Sequence, residues 1–389
     1  MSSSIPYGRQ DIRDSDVDAV VAVLKSDFLT QGPVVPRFEK AVASYCEVGH
    51  AVAVNSATSA LHIACLALGL GRGDLLWTSP ITFVASANCA LYCGADVDFV
   101  DIDKDSYNLS PAALEKKLEE AERVGRLPKV VVAVHLTGQP CDLAAIHTLA
   151  LRYGFSIIED ASHAIGGRYL DEPIGNCRYS QITVFSFHPV KIVTSAEGGM
   201  AVTNDPELAR RMALFRSHGI TRDAETMTHE ADGPWYYQQI ELGYNYRMTE
   251  LQGALGLNQM SRLDEYVSKR HQLASLYTEA LGSLPVTTPW QNPDGYSGLH
   301  LYVIRLRLDK LTKSHRVVYE TMQKQGIGVN LHYIPVHLQP YYQRMGFRLG
   351  SFPQAEAYYT EAITLPMFPT ITDVQQEEVI TALRRAVAP

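Results

Sequence analysis

From the N-terminus to Thr203, short apolar β-branched runs alternate with stretches of helical period. No other feature of this 389-residue chain constrains its fold as strongly. Strands are expected at Ala51 to Asn55, Leu75 to Thr78, Val97 to Asp101, Lys129 to Leu136, Phe155 to Glu159, Gln181 to Phe187 and Gly199 to Thr203. Between them the pattern predicts helices at Asp14 to Lys25, capped by Asp14 or Ser15, and at Thr58 to Leu70, Phe83 to Tyr92, Pro111 to Arg123 and Leu143 to Tyr153. Strand, helix, strand in this rhythm means an α/β fold with a mainly parallel central sheet covered by helices on both faces. In such sheets ligands collect at the carboxyl ends of the strands.

Beyond Thr249 the texture changes. A long amphipathic helix is expected over Leu251 to Leu281, then a loop marked by Gly282, Pro285, Pro289 and Pro293. A strand at His300 to Leu308, a helix at Ser314 to Gln325, a strand at Val329 to Tyr333 and a final helix at Asp373 to Val387 follow. The division expected is a large domain over residues 1–250, with the N-terminal segment, and a smaller C-terminal α/β domain over 251–389 that includes the linking helix.

Bulk properties narrow the function. The net charge is −8 and no long basic run interrupts it, which argues against nucleic acid as a partner. The six cysteines fall mostly in apolar runs. Cys89 and Cys93 are not answered by a second pair at metal-binding spacing, so reduced buried thiols in a cytoplasmic protein are expected, with no metal site. Met1-Ser2-Ser3-Ser4 lacks a basic region with an apolar run behind it and does not read as a signal peptide. The apolar stretch from Ala51 to Leu70 is broken by Asn55, Ser56, Thr58, Ser59 and His62 and does not read as a membrane span.

Several short segments carry chemistry. The strand-like run to Ser186 and Phe187 leads through His188-Pro189-Val190 to Lys191, and a Gly198-Gly199 turn follows. A lysine on a turn after a strand can form an imine with an aldehyde, and the apolar Val190, Ile192 and Val193 would desolvate its amine. A second strand ends in Glu159-Asp160, with His163 just beyond. A carboxylate at the tip of a neighbouring strand can hold the proton of a pyridinium. Together these are the equipment for pyridoxal phosphate. Asn55-Ser56-Ala57-Thr58-Ser59-Ala60 stands at a strand-to-helix turn, where small residues and free amides suit a phosphate; ordinary capping by Ser56 or Thr58 explains the same residues. Phe83 follows a strand and could stack on a flat ring, or could simply belong to the core. Gly243-Tyr244-Asn245-Tyr246-Arg247-Met248-Thr249 combines an amide, a cation and two phenols before a helix that Thr249 can cap. Leu331-His332-Tyr333-Ile334-Pro335-Val336-His337 could meet an anionic ligand, but its spacing is not that of a zinc pair.

In this order the segments resemble the DegT/DnrJ/EryC1/StrS sugar-nucleotide aminotransferases, which are fold type I, pyridoxal-phosphate-dependent enzymes of the aspartate aminotransferase superfamily. The likeness begins at Ile5-Pro6-Tyr7-Gly8-Arg9-Gln10 and Phe28-Leu29-Thr30-Gln31-Gly32-Pro33 and runs to His332 through His337. Within the family, Asp160-Ala161-Ser162-His163-Ala164, Phe185-Ser186-Phe187-His188 and Phe215-Arg216-Ser217-His218-Gly219 are most similar to the pseudaminic-acid branch. That branch aminates the 4-keto group of a UDP-linked 2-acetamido-2,6-dideoxy-hexos-4-ulose with L-glutamate. Many relatives have Gln at the position of His163.

The resemblance implies Lys191 as the Schiff-base lysine, Asp160 on the pyridinium, Phe83 stacked on the ring with His163 nearby, and Thr58, the amide of Ala57 and Ser186 on the phosphate. It implies that Asn245 reaches the phosphate of the other subunit in a homodimer with shared sites. Tyr7, Arg247, His332 and Tyr333 would contact the sugar nucleotide or the donor carboxylates. Amination of another keto-sugar nucleotide is the nearest alternative. A sugar dehydratase on the same fold would have His in place of Lys191, and a binding protein without turnover would not need the full catalytic set.

Overall fold

The computed structural model describes residues 4–389, so Met1, Ser2 and Ser3 of the N-terminal segment lie outside the described residues. Seven strands form the central sheet: β1 (His50–Val54), β2 (Leu75–Thr78), β3 (Asp96–Phe99), β4 (Val130–Val134), β5 (Ser156–Asp160), β6 (Ile182–Ser186) and β7 (Gly199–Thr203). Their spatial order is β1-β7-β6-β5-β4-β2-β3. All neighbours are parallel except β7, which runs antiparallel to both β1 and β6. A mainly parallel sheet is therefore what the alternation yields, with one inverted strand that its sequence does not distinguish.

Side-chain alternation along each strand divides the core between the two faces. Val131 and Ala133 of β4 join Ala53 and Phe185 in one apolar cluster, while Val130, Val132 and Val134 join Val52, Val54 and Val184 in another. Helices Ala57–Ala67, Ala85–Tyr92, Pro111–Arg123 and Leu143–Tyr153 connect successive strands from β1 to β5, and Pro206–Arg216 follows β7. The β1 edge is blunted by side chains: Glu39 accepts from the Ala53 amide at 2.8 Å and from Arg216 at 2.7 Å, and Arg216 donates to the Ala53 carbonyl at 3.0 Å.

Glu159 and Asp160, adjacent on β5, serve opposite faces of the sheet. On the closed side Glu159 is buried, accepting from Ser180 Oγ at 2.5 Å and lying 2.8 Å from His135 Nε2. The amide of Cys141 donates to His135 Nδ1 at 3.0 Å, so that nitrogen is the acceptor and the Nε2 proton is given to Glu159. This network ties together the end of β4, β5 and the approach to β6, which fixes the neighbouring Asp160 in place.

The C-terminal part holds a three-stranded antiparallel sheet, β8 (Val286–Thr287), β9 (Tyr302–Leu306) and β10 (Ala362–Leu365). Its own apolar cluster takes in Val318, Met322, Val379 and Leu383 from helices His315–Lys324 and Asp373–Val387. Ile5 belongs to the same cluster and bridges to Ile327, so the N-terminal segment is stitched to this part.

Three expectations need correction here. The first helix, Asp14–Leu24, is capped at Arg13, whose amide is held by the Asp16 carboxylate at 2.9 Å, and not at Asp14 or Ser15. The single helix expected over Leu251 to Leu281 is two, Glu250–Met260 and Leu263–Leu281. No glycine or proline marks the break. Ser261 bonds back to the Asn258 carbonyl at 2.7 Å, and Arg262 is drawn to Asp16 at 2.7 Å, a partner far away in sequence. The strand expected at Val329 to Tyr333 is a single bridge between Asn330 and Thr364. The Asn330 side chain takes the Leu331 amide at 2.8 Å, ending the ladder and freeing the chain to enter a cavity.

Arg270, on the longer helix, is 1% exposed, with no carboxylate partner among the described residues. One of its nitrogens donates to the carbonyls of Leu299, His300 and Met367 at 3.3, 2.9 and 3.1 Å, closing the entry to β9 onto the exit from β10. Arg270→Ala leaves those carbonyls without a donor and opens a cavity. It is expected to lower unfolding free energy by roughly 3 kcal/mol in urea titrations; a change below about 0.5 kcal/mol, the range of ordinary surface substitutions, would show that the clamp carries no stability.

Candidate active site

A cavity of about 1030 Å³ opens at the carboxyl ends of β1, β4, β5 and β6. It is lined by Tyr7, Ala57, Thr58, Phe83, Asp160, His163, Ser186, Lys191, His332 and Tyr333, which is ten of the sequence-predicted site residues in one place. The strands bring them together because each carries its residue at or just past its end: Asp160 closes β5, Ser186 closes β6, and Lys191 sits on the turn that follows.

Lys191 is half-buried and its amide is held by the His188 carbonyl at 2.9 Å. Burial pushes the side-chain amine down to about 8, opposed by the charge of Asp160. Among the described residues lining the cavity it is the one lysine or arginine. Asp160 is 5% exposed and oriented from both sides: Ser162 donates its amide at 3.1 Å and its hydroxyl at 2.6 Å to one oxygen, and Ser86 donates at 2.6 Å to the other. Ser86 is itself 2.7 Å from Thr82 Oγ1. The carboxylate still has lone pairs to offer a cationic ring.

Helix Ala57–Ala67 begins at the cavity floor. Ser56 is its cap, accepting from the Ser59 amide at 3.1 Å. Among the described residues the amides of Ala57 and Thr58 have no partner in the chain, which leaves donors for an anion. Gly199 makes this turn possible, since a Cβ there would stand 2.4 Å from the Ser56 carbonyl carbon and 2.5 Å from the Ala57 nitrogen. Gly199 is thus the start of β7, pressed against the anion-binding turn. Phe83 is 58% exposed, an apolar ring left open toward the cavity where a flat ligand can cover it. These donors, the desolvated amine, the oriented carboxylate and the open ring fit pyridoxal phosphate.

Three histidines, His163, His300 and His332, close the far wall, each 6% exposed or less. Burial and the Lys191 charge hold all of them below the usual imidazole range, His332 down to about 3. His332 Nδ1 lies 2.8 Å from Thr364 Oγ1, and the Tyr7 ring packs 5.3 Å from its ring. Asn245 and Arg247 do not line the cavity of their own chain. Their segment runs beside the end of β1, where Arg247 bridges to Val54 and the Asn55 amide donates to the Tyr246 carbonyl at 2.8 Å, and the Asn245 side chain is exposed. His300, Ser86, His188, Glu197, Gln252 and Asn330 were not singled out by sequence. Ser86 lies within the helix expected over Phe83 to Tyr92, but His300 enters just before β9 and has no local signature.

The architecture and the site define a pyridoxal-phosphate-dependent aminotransferase of fold type I. Sequence comparison matches residues 10–384 to the DegT/DnrJ/EryC1/StrS aminotransferase family, and the chain belongs to it. The spore coat polysaccharide biosynthesis protein SpsC of Bacillus subtilis is 37% identical over 387 residues, 98% of this chain and 97% of SpsC. Among solved structures, Helicobacter pylori PseC, an aminotransferase of pseudaminic acid biosynthesis, superposes with a TM-score of 0.90 at 30% identity over 99% of each chain. The PMP-form of the putative sugar aminotransferase Spr1654 from Streptococcus pneumoniae gives 0.89 at 26% identity, covering 98% of this chain and 99% of that one. The chain is a sugar aminotransferase.

The depressed Lys191 amine has a consequence for the cofactor-free protein. A lysine at about 8 when folded, against an ordinary 10.5, destabilises the fold fully below pH 8 and progressively less as pH rises to its unfolded value. Lys191→Met is therefore expected to stabilise cofactor-free protein at pH 7 by about 3 kcal/mol, with the gain shrinking above pH 8 and vanishing near pH 10.5. Denaturant titrations at several pH values would read this; a gain independent of pH would contradict a desolvated amine.

Proposed function

We propose that this chain moves an amino group from L-glutamate to the 4-keto carbon of UDP-2-acetamido-2,6-dideoxy-β-L-arabino-hexos-4-ulose, giving UDP-4-amino-4,6-dideoxy-N-acetyl-β-L-altrosamine for pseudaminic acid. The observation that carries the transfer chemistry is the meeting of a desolvated Lys191, an oriented Asp160 and the free amides of Ala57 and Thr58 in one cavity. The likeness to PseC over nearly the whole chain supports the sugar, together with His163 in Asp160-Ala161-Ser162-His163-Ala164. A second reading, amination of another keto-sugar nucleotide for a coat or surface polysaccharide, has the SpsC likeness in its favour.

When bound, pyridoxal phosphate supplies the aldehyde and the electron-withdrawing ring. In this reading the chain does the rest. The Ala57 and Thr58 amides with Ser186 hold the phosphate, Phe83 covers one ring face, and Asp160 holds the ring-nitrogen proton. Lys191, its amine brought down to about 8 by burial, would hold the cofactor through its aldehyde and, once the donor amine has displaced it, would be the free amine placed to take and return the proton of the donor carbon. Tyr7, His332 and Tyr333 face the sugar. Residues 1–250 form the cofactor domain and 251–389 the smaller domain in this proposal. The six free thiols suit a cytoplasmic enzyme.

The direct test is incubation with L-glutamate and a panel of UDP-, dTDP- and GDP-linked keto-sugars, read by mass spectrometry. The UDP-linked 4-keto sugar is expected to gain the amine most efficiently, and preference for another carrier or a 3-keto sugar would move the assignment to the second reading. Lys191→Arg should abolish turnover, because guanidinium stays protonated and cannot exchange imines. Asp160→Asn should bind cofactor yet lose several kcal/mol of barrier lowering, on the order of ~3; activity within a few-fold of wild type would leave Asp160 a structural cap.

We further propose a homodimer in which Asn245 of one subunit meets the phosphate in the other. The exposed Asn245 side chain beside the Asn55 turn supports this, as does a cavity whose own chain offers no cation besides Lys191 among the described residues. Inactive Lys191→Ala and Asn245→Ala chains, mixed and allowed to exchange, should recover up to about half of the wild-type activity per mixed dimer, since one of the two sites then carries neither defect. No recovery after demonstrated exchange, or an active monomer, would refute the shared site.

A further inference from the structure

The far wall of the cavity contains a chain of hydrogen bonds whose direction can be read from its closed end. The amide of Thr137 donates to His163 Nδ1 at 3.2 Å. A backbone N–H can only donate, so Nδ1 bears no proton. His163 is 5% exposed, and burial beside the Lys191 charge keeps the ring neutral. A neutral ring without a proton on Nδ1 carries it on Nε2. Nε2 lies 3.2 Å from the hydroxyl oxygen of Tyr333. The tyrosine oxygen is therefore the acceptor there, and its own proton must point elsewhere, into the cavity that Tyr333 lines.

The ring has little freedom to abandon this arrangement. Thr137 is held at φ 62 in a tight turn, with its carbonyl accepting from the Leu301 amide at 3.2 Å. Gly138 follows at φ +105, where a Cβ would stand 2.7 Å from the His163 carbonyl oxygen, and a Cβ on Gly298 would stand 3.0 Å from the same atom. The Gly298 amide donates to the Gly138 carbonyl at 3.0 Å. Three backbone segments thus meet at the His163 carbonyl and fix the backbone from which the ring projects. Above the ring lies His300, centroid to centroid 4.6 Å, itself buried.

We propose that His163 is a positioning residue: the Thr137 amide sets its tautomer, and His163 in turn makes Tyr333 an obligate hydrogen-bond donor to an oxygen of the bound ligand. The ligand oxygen favoured by the chemistry is the carbonyl oxygen of the keto substrate, so this rests on the aminotransferase reading above. Because the chain ends in a backbone amide, it cannot pass a proton on. Tyr333 polarises the carbonyl without acting as a net acid, and proton movement is left to Lys191.

Two measurements decide it. Full-length protein as purified, labelled with ¹⁵N-histidine, reports the tautomer directly, and the His163 signals are identified by their loss in His163→Gln. The expected result is a neutral ring protonated on Nε2 at neutral pH, with Nε2 shifted but the tautomer unchanged in Tyr333→Phe. Protonation on Nδ1, or on both nitrogens, overturns the proposal whether or not the protein turns over any sugar. Kinetics with L-glutamate and the UDP-linked 4-keto sugar then test the donor. Tyr333→Phe and His163→Leu should each lower kcat/KM by on the order of tenfold, about what one neutral hydrogen bond is worth, and the double variant no further. His163→Gln should recover most of what His163→Leu loses, because an amide can accept from Thr137 and donate to Tyr333 at the same time. Independent losses in the double variant, or a Gln variant as poor as Leu, would overturn it. A wild-type protein inactive on all keto-sugars would instead refute the functional reading, while the tautomer result would still stand or fall by itself.

Discussion

Removing water from one amine is the constraint around which the rest of this protein is arranged. Lys191 must be buried enough to lose its proton near neutrality, yet remain open to a cavity in which a ligand can reach it. An ammonium in such a place is costly unless a counter-charge is near. Asp160 supplies it, held by Ser86 and Ser162 so that it cannot swing away. The histidines around the pair stay neutral for the same reason, since a second cation beside Lys191 in a desolvated pocket would be repelled. The result is a cavity with one desolvated amine and a wall of oriented neutral donors and acceptors.

The parallel sheet makes this affordable in structural terms. Strand ends are stiff because their backbone bonds are satisfied on both sides, so residues at those ends are positioned without needing loops to hold them. The inverted strand β7 brings Gly199 against the start of helix Ala57–Ala67, and only a residue without a side chain permits that approach. Behind the sheet, the Glu159, His135 and Ser180 network stiffens the strand that carries Asp160. The C-terminal part contributes through a different device: the Arg270 guanidinium gathers three carbonyls and so fixes the segment that delivers His300 to the wall.

The family relationship and these physical features agree on the chemistry while leaving the sugar to smaller differences in the same cavity. PseC and SpsC are both similar over nearly the entire chain, and their names point to different glycans. In the proposed reading the contacts that choose the sugar would come from Tyr7, His332 and Tyr333, which line the cavity from the N-terminal segment and from the stretch after Ile327.

Much of this was legible in the sequence, because it depends on local pattern. Short apolar runs alternating with stretches of period 3.6 placed all seven strands of the main sheet within a residue or two, and the helices Pro111–Arg123, Leu143–Tyr153 and Asp373–Val387 at their observed bounds. Lys191, Asp160 and the Asn55 to Ala60 turn stood out because a strand end followed by a particular residue type is itself a local signal. What local pattern could not show are features decided by partners distant in the chain. The break at Ser261 depends on Arg262 finding Asp16, and the missing strand at Val329 to Tyr333 depends on Asn330 turning back on its own backbone once Thr364 is paired. The inversion of β7, the entry of His300, and the tautomer of His163 set by Thr137 likewise arise only when segments far apart in sequence are packed together, since burial and hydrogen-bond direction are properties of the assembled neighbourhood and not of any one stretch of chain.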